Sequence, residues 1–470
     1  LNGRTATDIT TPLGEIDNTY YRATNDAIGI SWVQDWGYIG GAFSTYLNNY
    51  GIPPDPQGHP NGVDIEMEKF QYDIKSEMLV DAEFIKVIEG DLSIKNYTHK
   101  EIESNGSLGT QFGLVTTNAE IKAQHNSLGV LDQGSFGIWG EIEDYGVIGA
   151  GTPDANSYKL AAYLIEEANF GNLHLETGLR FDWVLNKPVE DEPNSPIGNI
   201  RQRSFPALAS SIAGIYAFEN DISLGISFLH SFRAPSLEEL YSEGPHLASY
   251  SYEIGNPELN PERGLAKEIF LRYQSNQINS ELALFHNDFS NYLYARDTGQ
   301  PNIRRPDLNN YQFVGTEAIL YGTEISGSVQ FLNNFVIEAS LSYTIANRKV
   351  PESEQQTTGF DSDTRPLPQI PPLKAKSTFK YINSDGLEIG SRIRIADEQD
   401  RVGEFETPTE GYILVDTFAQ YRIDGSKFLH TFALNFNNLL NREYYNHLSR
   451  IKDLQPEPGF NANLLYRIYF

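Results

Sequence analysis

Cysteine is absent from this sequence of 470 residues, and so is any long apolar run. The lack of cysteine excludes disulfide bonds, thiolate metal sites and cysteine nucleophiles. A membrane-spanning helix needs about 18 or more consecutive apolar residues. No such stretch occurs, so helical membrane spans are excluded. Methionine is also rare, with only Met67 and Met78, and the chain begins at Leu1. The sequence is therefore expected to be a mature or truncated form.

Basic residues are scarce as well. The chain has 35 Lys and Arg against 63 Asp and Glu, which gives a formal net charge of -28. A nucleic-acid partner is excluded, because a phosphate backbone requires a basic surface. Acidic loops attract divalent cations or cationic ligands. The simpler interpretation, that the negative charge keeps loops solvated, is favoured.

Aromatic residues are plentiful, with 27 Tyr and 26 Phe. In the last segment of the chain, apolar residues recur at every second position. In this last segment, mainly apolar positions alternate with mostly polar ones: Phe460, Ala462, Leu464, Tyr466, Ile468 and Phe470 against Asn461, Asn463, Leu465, Arg467 and Tyr469. One apolar, aromatic-tipped face is typical of a strand between lipid and a wetter interior. The predicted fold class is all-β, a transmembrane antiparallel β-barrel in a bacterial outer membrane.

The same period defines about nineteen candidate strands, from 22–33 to 458–470. Tight turns such as Ser384-Asp385-Gly386 alternate with long loops. The long loops are 186–202, 233–262, 295–310, 347–369, 398–410 and 440–457. Outer-membrane barrels have short periplasmic turns and longer extracellular loops. The long loops are therefore assigned to the outside of the cell.

Counting back from the last strand also places residues 1–21 outside. A single-chain bacterial barrel normally has an even number of strands, and an exported chain should enter it from the periplasm. Nineteen strands with an outward-facing start predict three further strands before Leu1, about 22 in all, a size whose lumen needs a plug. Residues 1–470 are assigned to the barrel domain, with the plug domain and first strands absent from this sequence.

The segment after the predicted strand at 221–232 is the richest in motifs. It contains Phe232-Arg233-Ala234-Pro235 and Asn256-Pro257-Glu258-Leu259, with His246 between these two boxes. Asn437-Asn438-Leu439-Leu440-Asn441 precedes the last loop, and the chain ends on an aromatic residue. Together these motifs resemble those of TonB-dependent outer-membrane receptors, especially the haem- and zinc-uptake branches. The resemblance covers essentially the whole chain as barrel.

This resemblance implies a receptor, not an enzyme, that imports a metal or metal chelate across a Gram-negative outer membrane. The transported ligand would be a ferric siderophore, haem or zinc, and no cofactor is required. The partners would be the lipid bilayer and the TonB complex, engaged by a monomeric receptor. Contact with TonB would use a plug and a TonB box that this sequence does not contain. The alternative is a passive porin-like or adhesin barrel without TonB coupling.

Three residues of the motif-rich segment are candidate ligand contacts by the same resemblance. His246 is a candidate axial ligand of haem iron or a zinc ligand, since neutral imidazole suits both metals; alternatively, it only hydrogen-bonds within a turn. Arg233 is suited to a carboxylate or propionate, but a salt bridge in the barrel wall is favoured. Asn256 is a candidate contact, although a role as a turn former is favoured. His447 in the last long loop is a minor alternative ligand.

A second candidate site is the loop Tyr50-Gly51-Ile52-Pro53-Pro54-Asp55-Pro56-Gln57-Gly58-His59-Pro60. It resembles the histidine-bearing loop of zinc-uptake receptors. Asp55 and His59 supply two ligands, fewer than the four that zinc usually takes. His246 or Glu243 would complete the set. The alternative is a proline-rich turn with a solvated histidine.

Overall fold

The computed structural model describes residues 2–54, 59, 61–80, 82–246, 249–352, 354–355, 362–425 and 427–470. A short helix, α1, spans Leu237–Tyr241. The strands, in chain order, are β1 (Asn2–Ala6), β2 (Ile9–Thr11), β3 (Gly14–Ile16), β4 (Tyr21–Gln34), β5 (Gly37–Ile52), β6 (Val63–Leu79), β7 (Ile85–Glu103), β8 (Leu108–His125), β9 (Gln133–Ile148), β10 (Ala155–Phe170), β11 (Leu173–Pro188), β12 (Glu192–Ser195), β13 (Gly198–Ile200), β14 (Arg203–Ala217), β15 (Ile222–Arg233), β16 (Glu243–His246), β17 (Ser251–Ile254), β18 (Glu262–Gln274), β19 (Ile278–Pro301), β20 (Asn309–Phe331), β21 (Phe335–Lys349), β22 (Thr364–Pro366), β23 (Lys374–Ile382), β24 (Leu387–Ala396), β25 (Tyr412–Asp424), β26 (Leu429–Asn437) and β27 (Asn461–Tyr469).

Nineteen of these strands have nine residues or more, and each pairs antiparallel with the next long strand along the chain. The predicted all-β antiparallel fold and its nineteen strands are confirmed. The short strand β1 adds to the free edge of β4, and β27 forms the other edge of the sheet. The pairings within the described ranges do not close the wall between these two edges. The total of 22 strands stays a prediction.

Alternate residues of the long strands face outward and are apolar. On β4, for example, Ile28, Ile30 and Trp32 are 74%, 82% and 59% exposed. Because neighbouring residues of a strand point to opposite faces, this outer surface is the lipid-facing band of a membrane barrel. The last strand follows the same rule, with Leu464 and Tyr466 exposed on the outer side.

The connections differ in length at the two ends of the barrel. Asp35-Trp36 and Gly171-Asn172 join strand pairs in two residues at one end. At the other end, β15 and β18 are separated by 234–261, and β26 and β27 by 438–460. The predicted alternation is therefore correct. The largest error in the predicted loop boundaries is at 295–310, which is reduced to 302–308 because β19 and β20 continue to pair beyond the bilayer.

The long loop 234–261 folds onto the mouth of the barrel. Leu240 and Tyr241 of α1 are fully buried, in a cluster with inward-facing residues of the wall. Hydrogen bonds fix this packing, since the Tyr241 hydroxyl donates to the carbonyl of Arg201 at 2.8 Å. The loop is thus an ordered layer inside the barrel mouth. No helix in the part of the chain that the structure describes is long and apolar enough to span a membrane.

Candidate functional site

A cavity of about 280 Å³ lies at the barrel mouth, on the side of the long loops. The inner faces of β5 to β9 form one side of this cavity, and the loop 234–261 forms the other. The polar residues in its lining include His99, Glu101, Glu238, His246 and Glu253. Two imidazoles and three carboxyl groups therefore surround one space that faces the outside of the cell.

His246 ends β16 and enters this cavity from the loop. β16 and β17 form a small hairpin in which His246 pairs with Ser251. The Nδ1 atom of His246 lies 3.0 Å from Oε1 of Glu253, while the histidine side chain is 55% exposed. The hydrogen bond from His246 to Glu253 raises the pKa of the imidazole. Burial would raise the pKa of Glu253, but this same hydrogen bond holds it below its usual range.

The hairpin is attached to the barrel wall. β17 pairs in parallel with the first residues of β20, from Ser251 opposite Asn309 to Ile254 opposite Gln312. On the other strand of the hairpin, the carbonyl of Glu243 accepts a hydrogen bond from the backbone N–H of Gly151 at 3.0 Å. Backbone bonds on both sides thus fix the position of His246.

The last long loop also reaches the hairpin through Arg450. Nη1 of Arg450 lies 3.6 Å from Oε1 of Glu253, and the guanidinium sits over the ring of Tyr311 at 5.8 Å. Cation–π contact of this kind favours a fixed orientation of the guanidinium. Arg450 therefore supplies a counter-charge to the carboxylate that binds His246.

His99, which sequence reasoning missed, lies in the opposite wall of the cavity. Its Nδ1 is 2.7 Å from the Tyr97 hydroxyl, and its ring centroid is 4.5 Å from that of Phe112. The outward-facing neighbours Asn96, Thr98 and Lys100 are polar, so this end of β7 projects beyond the lipid. Burial, followed by the nearby charge of His246, lowers the pKa of His99.

The only sequence signal for His99 is that it alternates in step with Tyr97 and Glu101, so that all three side chains face the interior of the barrel. One histidine in an alternating strand is too common to identify a site. The carboxyl groups of Glu101 and Glu238 share this environment, and burial raises the pKa of each. Burial in the cavity therefore disfavours the charged forms of His99, Glu101 and Glu238.

Arg233 lies outside the lining of this cavity and forms ion pairs within the protein. Its Nη1 is 2.8 Å from Oε2 of Glu239, and its Nη2 is 3.3 Å from Oε2 of Glu262. These contacts join the Phe232–Pro235 box to the start of β18. The observed contacts of Arg233 are therefore salt bridges, as the favoured alternative expects. Its contact with a ligand stays a prediction.

Asn256 lies in a turn beyond β17. Its side-chain oxygen accepts a hydrogen bond from the backbone N–H of Glu258 at 3.0 Å, and its own N–H donates to the carbonyl of Glu239 at 2.9 Å. Both contacts shape the loop, as expected of a turn former. Its role as a ligand contact stays a prediction.

The proposed zinc set is only partly described. Asp55 lies outside the described residues. The Nδ1 of His59 is 2.9 Å from Oε2 of Glu103, while its Nε2 is buried without a hydrogen-bond partner among the described residues. Glu243 is bound by Arg304 at 2.9 Å. Over the described ranges, no group of three or more His, Asp or Glu is arranged to hold a metal ion. The His246, His59 and Asp55 site stays a prediction.

His447, the minor alternative ligand, is buried between two long loops. Its Nε2 is 3.1 Å from Oε1 of Glu406, and its Nδ1 is 3.0 Å from the Thr409 hydroxyl. Lys452 also lies 3.1 Å from Glu406. This cluster ties the 438–460 loop to the 397–411 loop, so His447 acts as a structural residue in the observed arrangement.

Comparisons with known proteins agree with the geometry. The family described as "TonB dependent receptor-like, beta-barrel" matches residues 2–439. The iron-regulated outer membrane virulence protein of Vibrio cholerae is 29% identical over 163 residues, which cover 33% of this chain and 24% of that protein. TonB-dependent heme receptor A of Haemophilus ducreyi is 24% identical over 328 residues, covering 64% and 44%. The chain thus spans less than half the length of these curated relatives.

Solved structures share the fold. The copper transporter OprC superposes with a TM-score of 0.82 at 16% identity, covering 99% of this chain and 75% of that one. The Serratia marcescens hemophore receptor HasR, in complex with its hemophore and heme, gives a TM-score of 0.75 at 16% identity, with the same coverage. At such low identity these likenesses show the architecture alone.

Proposed function

This chain belongs to the TonB-dependent receptor-like β-barrel family, and on that basis we propose that it forms the barrel of a receptor that imports a metal chelate. The lipid-facing strands and the family place it in the outer membrane of a Gram-negative bacterium. The family and the structural neighbours are transport receptors rather than enzymes. Transport is therefore the function that we propose for this chain.

The observation that carries the proposal is the placement of His246. A loop folded into the barrel mouth presents this half-exposed imidazole to a cavity on the extracellular side. Its Nδ1 faces a carboxylate, so Nε2 is the nitrogen left to bind a metal. A scarce metal or chelate arriving from outside would meet this residue first.

Among the chelates, haem is the ligand that the site suits best. Iron in haem accepts an axial imidazole, and the cavity combines His246 with the aromatic residues Tyr50, Phe112 and Tyr145. Two relatives carry names that describe a heme or hemin receptor. Ferric siderophores and zinc remain the other two candidates. Zinc would need ligands beyond His246, such as His59.

A transport assay tests the coupling mechanism. The protein, expressed from its complete gene in a haem-auxotrophic host without haem receptors, should support growth on haem. Deletion of the host tonB gene, or collapse of the inner-membrane proton gradient, should abolish this growth. A passive porin-like barrel would continue to admit haem under both conditions, and an adhesin would support no growth at all.

A binding panel tests the ligand. The purified receptor would be titrated with haem, a ferric siderophore and zinc chloride, with heat and absorbance recorded. Haem binding that is lost in His246→Ala supports the proposal. Tight binding of zinc that needs His59, with no haem binding, would instead support the zinc alternative.

A further inference from the structure

We propose that Glu253 is a positioning residue for His246, holding the imidazole proton on Nδ1 and leaving Nε2 as the nitrogen that binds the metal of the transported chelate. This inference rests on the proposed function and deepens it. It identifies the side chain that prepares the ligand-binding nitrogen. Neither residue box in the sequence contains Glu253, so motif reading gives no role to this position.

The hairpin geometry brings the two side chains together. Glu253 pairs with Gly244, and His246 pairs with Ser251, so Glu253 and His246 are diagonal neighbours on one face of the hairpin. The residue opposite Glu253 has no side chain, which leaves room for the carboxylate to lean toward the imidazole. The result is the 3.0 Å contact between Nδ1 and Oε1.

The carboxylate itself is held in place. Glu253 is 15% exposed, and the parallel ladder between β17 and β20 fixes its backbone. Arg450 lies 3.6 Å from the oxygen that contacts His246. A second extracellular loop thus supports the pair through a charge placed behind the carboxylate.

The chemistry follows from the donor and acceptor inventory. An ionised carboxylate only accepts hydrogen bonds, so the Nδ1 that faces it must donate. A neutral imidazole with its proton on Nδ1 offers its lone pair at Nε2. Carboxylates behind metal-binding histidines fix the tautomer and ring orientation, and their removal typically lowers metal affinity about 10–100-fold.

The test uses the receptor expressed from its complete gene, purified in detergent and titrated with haem. Glu253→Leu removes the acceptor and should weaken haem binding about 10–100-fold. Glu253→Gln keeps a weaker, neutral acceptor and should give an intermediate loss. Metal-free protoporphyrin IX should bind the variants and wild type equally, because it forms no bond to Nε2. Glu281→Leu is the matched control, since this carboxylate pairs with Arg272 near the turn between β18 and β19, outside the cavity, and the variant should retain the axial-imidazole absorbance band.

A second readout does not depend on binding. In the ligand-free receptor labelled with ¹⁵N-histidine, His246→Ala assigns the His246 signals. Wild type should carry the proton on Nδ1, and Glu253→Leu should shift the population toward the Nε2-protonated tautomer. Glu281→Leu should leave the tautomer unchanged.

The outcomes separate the two proposals. If wild type binds no haem but the tautomer responds to Glu253→Leu, the positioning role stands and haem is the wrong ligand. If haem affinity falls while the tautomer is unchanged, Glu253 acts only through the hairpin fold and the inference is overturned. Unchanged haem affinity in Glu253→Leu, with binding lost in His246→Ala, also overturns it and leaves the proposed function intact.

Discussion

The guanidinium of Arg233 lies 2.8 Å from the carboxylate of Glu239, and this contact joins the end of β15 to the first turn of α1. Glu239 also completes a capping box: its carboxylate accepts from the backbone N–H of Ser236, and the Ser236 hydroxyl accepts from the backbone N–H of Glu239. The helix start, the wall strand and the motif arginine thus form one unit. This unit determines where the following hairpin begins.

Arg233→Gln should loosen this unit without unfolding the barrel. The arginine is partly exposed, so we expect a loss of only about 1 kcal/mol. Because the loop 234–261 is then less firmly attached, protease should cut it faster in intact cells. Arg422→Gln, which breaks an exposed ion pair with Asp424 at the turn end, is the control. Protease should cleave its loop at the wild-type rate. Equal cleavage of all three proteins would contradict this assignment.

Leu240→Ala should release the loop from its packing site. Leu240 is 0% exposed in the cluster at the barrel mouth. Removing three buried carbon atoms and leaving a cavity typically costs about 2–5 kcal/mol. Hydrogen exchange of the loop amides should therefore speed up, while the wall strands stay protected. Leu440→Ala, at a site 68% exposed, should change nothing measurable. Normal loop protection in Leu240→Ala would show that the packing contributes little.

The contacts of Glu406 with His447 and Lys452 should persist in acid until the pH is very low. Burial alone would raise the pKa of Glu406, but the nearby imidazole of His447 and hydrogen bonds from the backbone N–H groups of Gly403 and Gln369 lower it to about 2. A carboxyl pKa that is depressed on folding adds stability above the ordinary value near 4.5. This contribution is lost as pH falls through about 2.

Contact between the two loops can be followed by a pair of spin labels on 397–411 and 438–460. The label distance should stay constant from neutral pH to about pH 4 and lengthen as pH approaches 2. Glu406→Gln should lengthen it at every pH, because the charge that Lys452 faces is gone. A wild-type transition centred at the ordinary carboxyl pKa would contradict the role of Glu406.

His99→Phe should weaken haem binding while preserving the wall. The new ring can still contact Phe112, so barrel yield and thermal stability should match wild type. The polar edge of the imidazole is lost, and one hydrogen bond of about 0.5–1.5 kcal/mol corresponds to a roughly 2- to 10-fold weaker affinity. His174→Phe, at a half-buried position near the turn end and outside the cavity, serves as the control. Undiminished affinity in His99→Phe would remove this residue from the site.

The wall was predictable because its signal is long and redundant. Each strand repeats the alternation that lipid on one side imposes, as in Ile28, Ile30 and Trp32, and each turn adds an independent check. Strand ends were less certain, as at 295–310, since pairing beyond the bilayer no longer needs an apolar face. The eight short strands escaped prediction because three to five residues carry no measurable period.

Of the described residues that the sequence proposes for the site, only His246 lies in the lining of the cavity, and its role as a ligand stays a prediction. Motif position identified this residue, but its partner Glu253 depends on a hairpin register that the sequence does not display. His99 comes from a strand more than a hundred residues earlier, and only the folded loop brings both histidines to one cavity. Asn256 and Arg233 also lie in sequence motifs, but the contacts that the structure shows for them are within the loop and not with the cavity.

The parallel ladder between β17 and β20 makes His246 sensitive to the alignment of distant wall strands. Pairing in β19 and β20 shifts register between Phe289 and Tyr292, and again between Asp297 and Pro301, where β20 also pairs with β17. A slip of one residue turns every side chain of a strand to the opposite face. We therefore expect an insertion in these bulges to displace the hairpin that carries His246 while leaving every residue of the cavity unchanged.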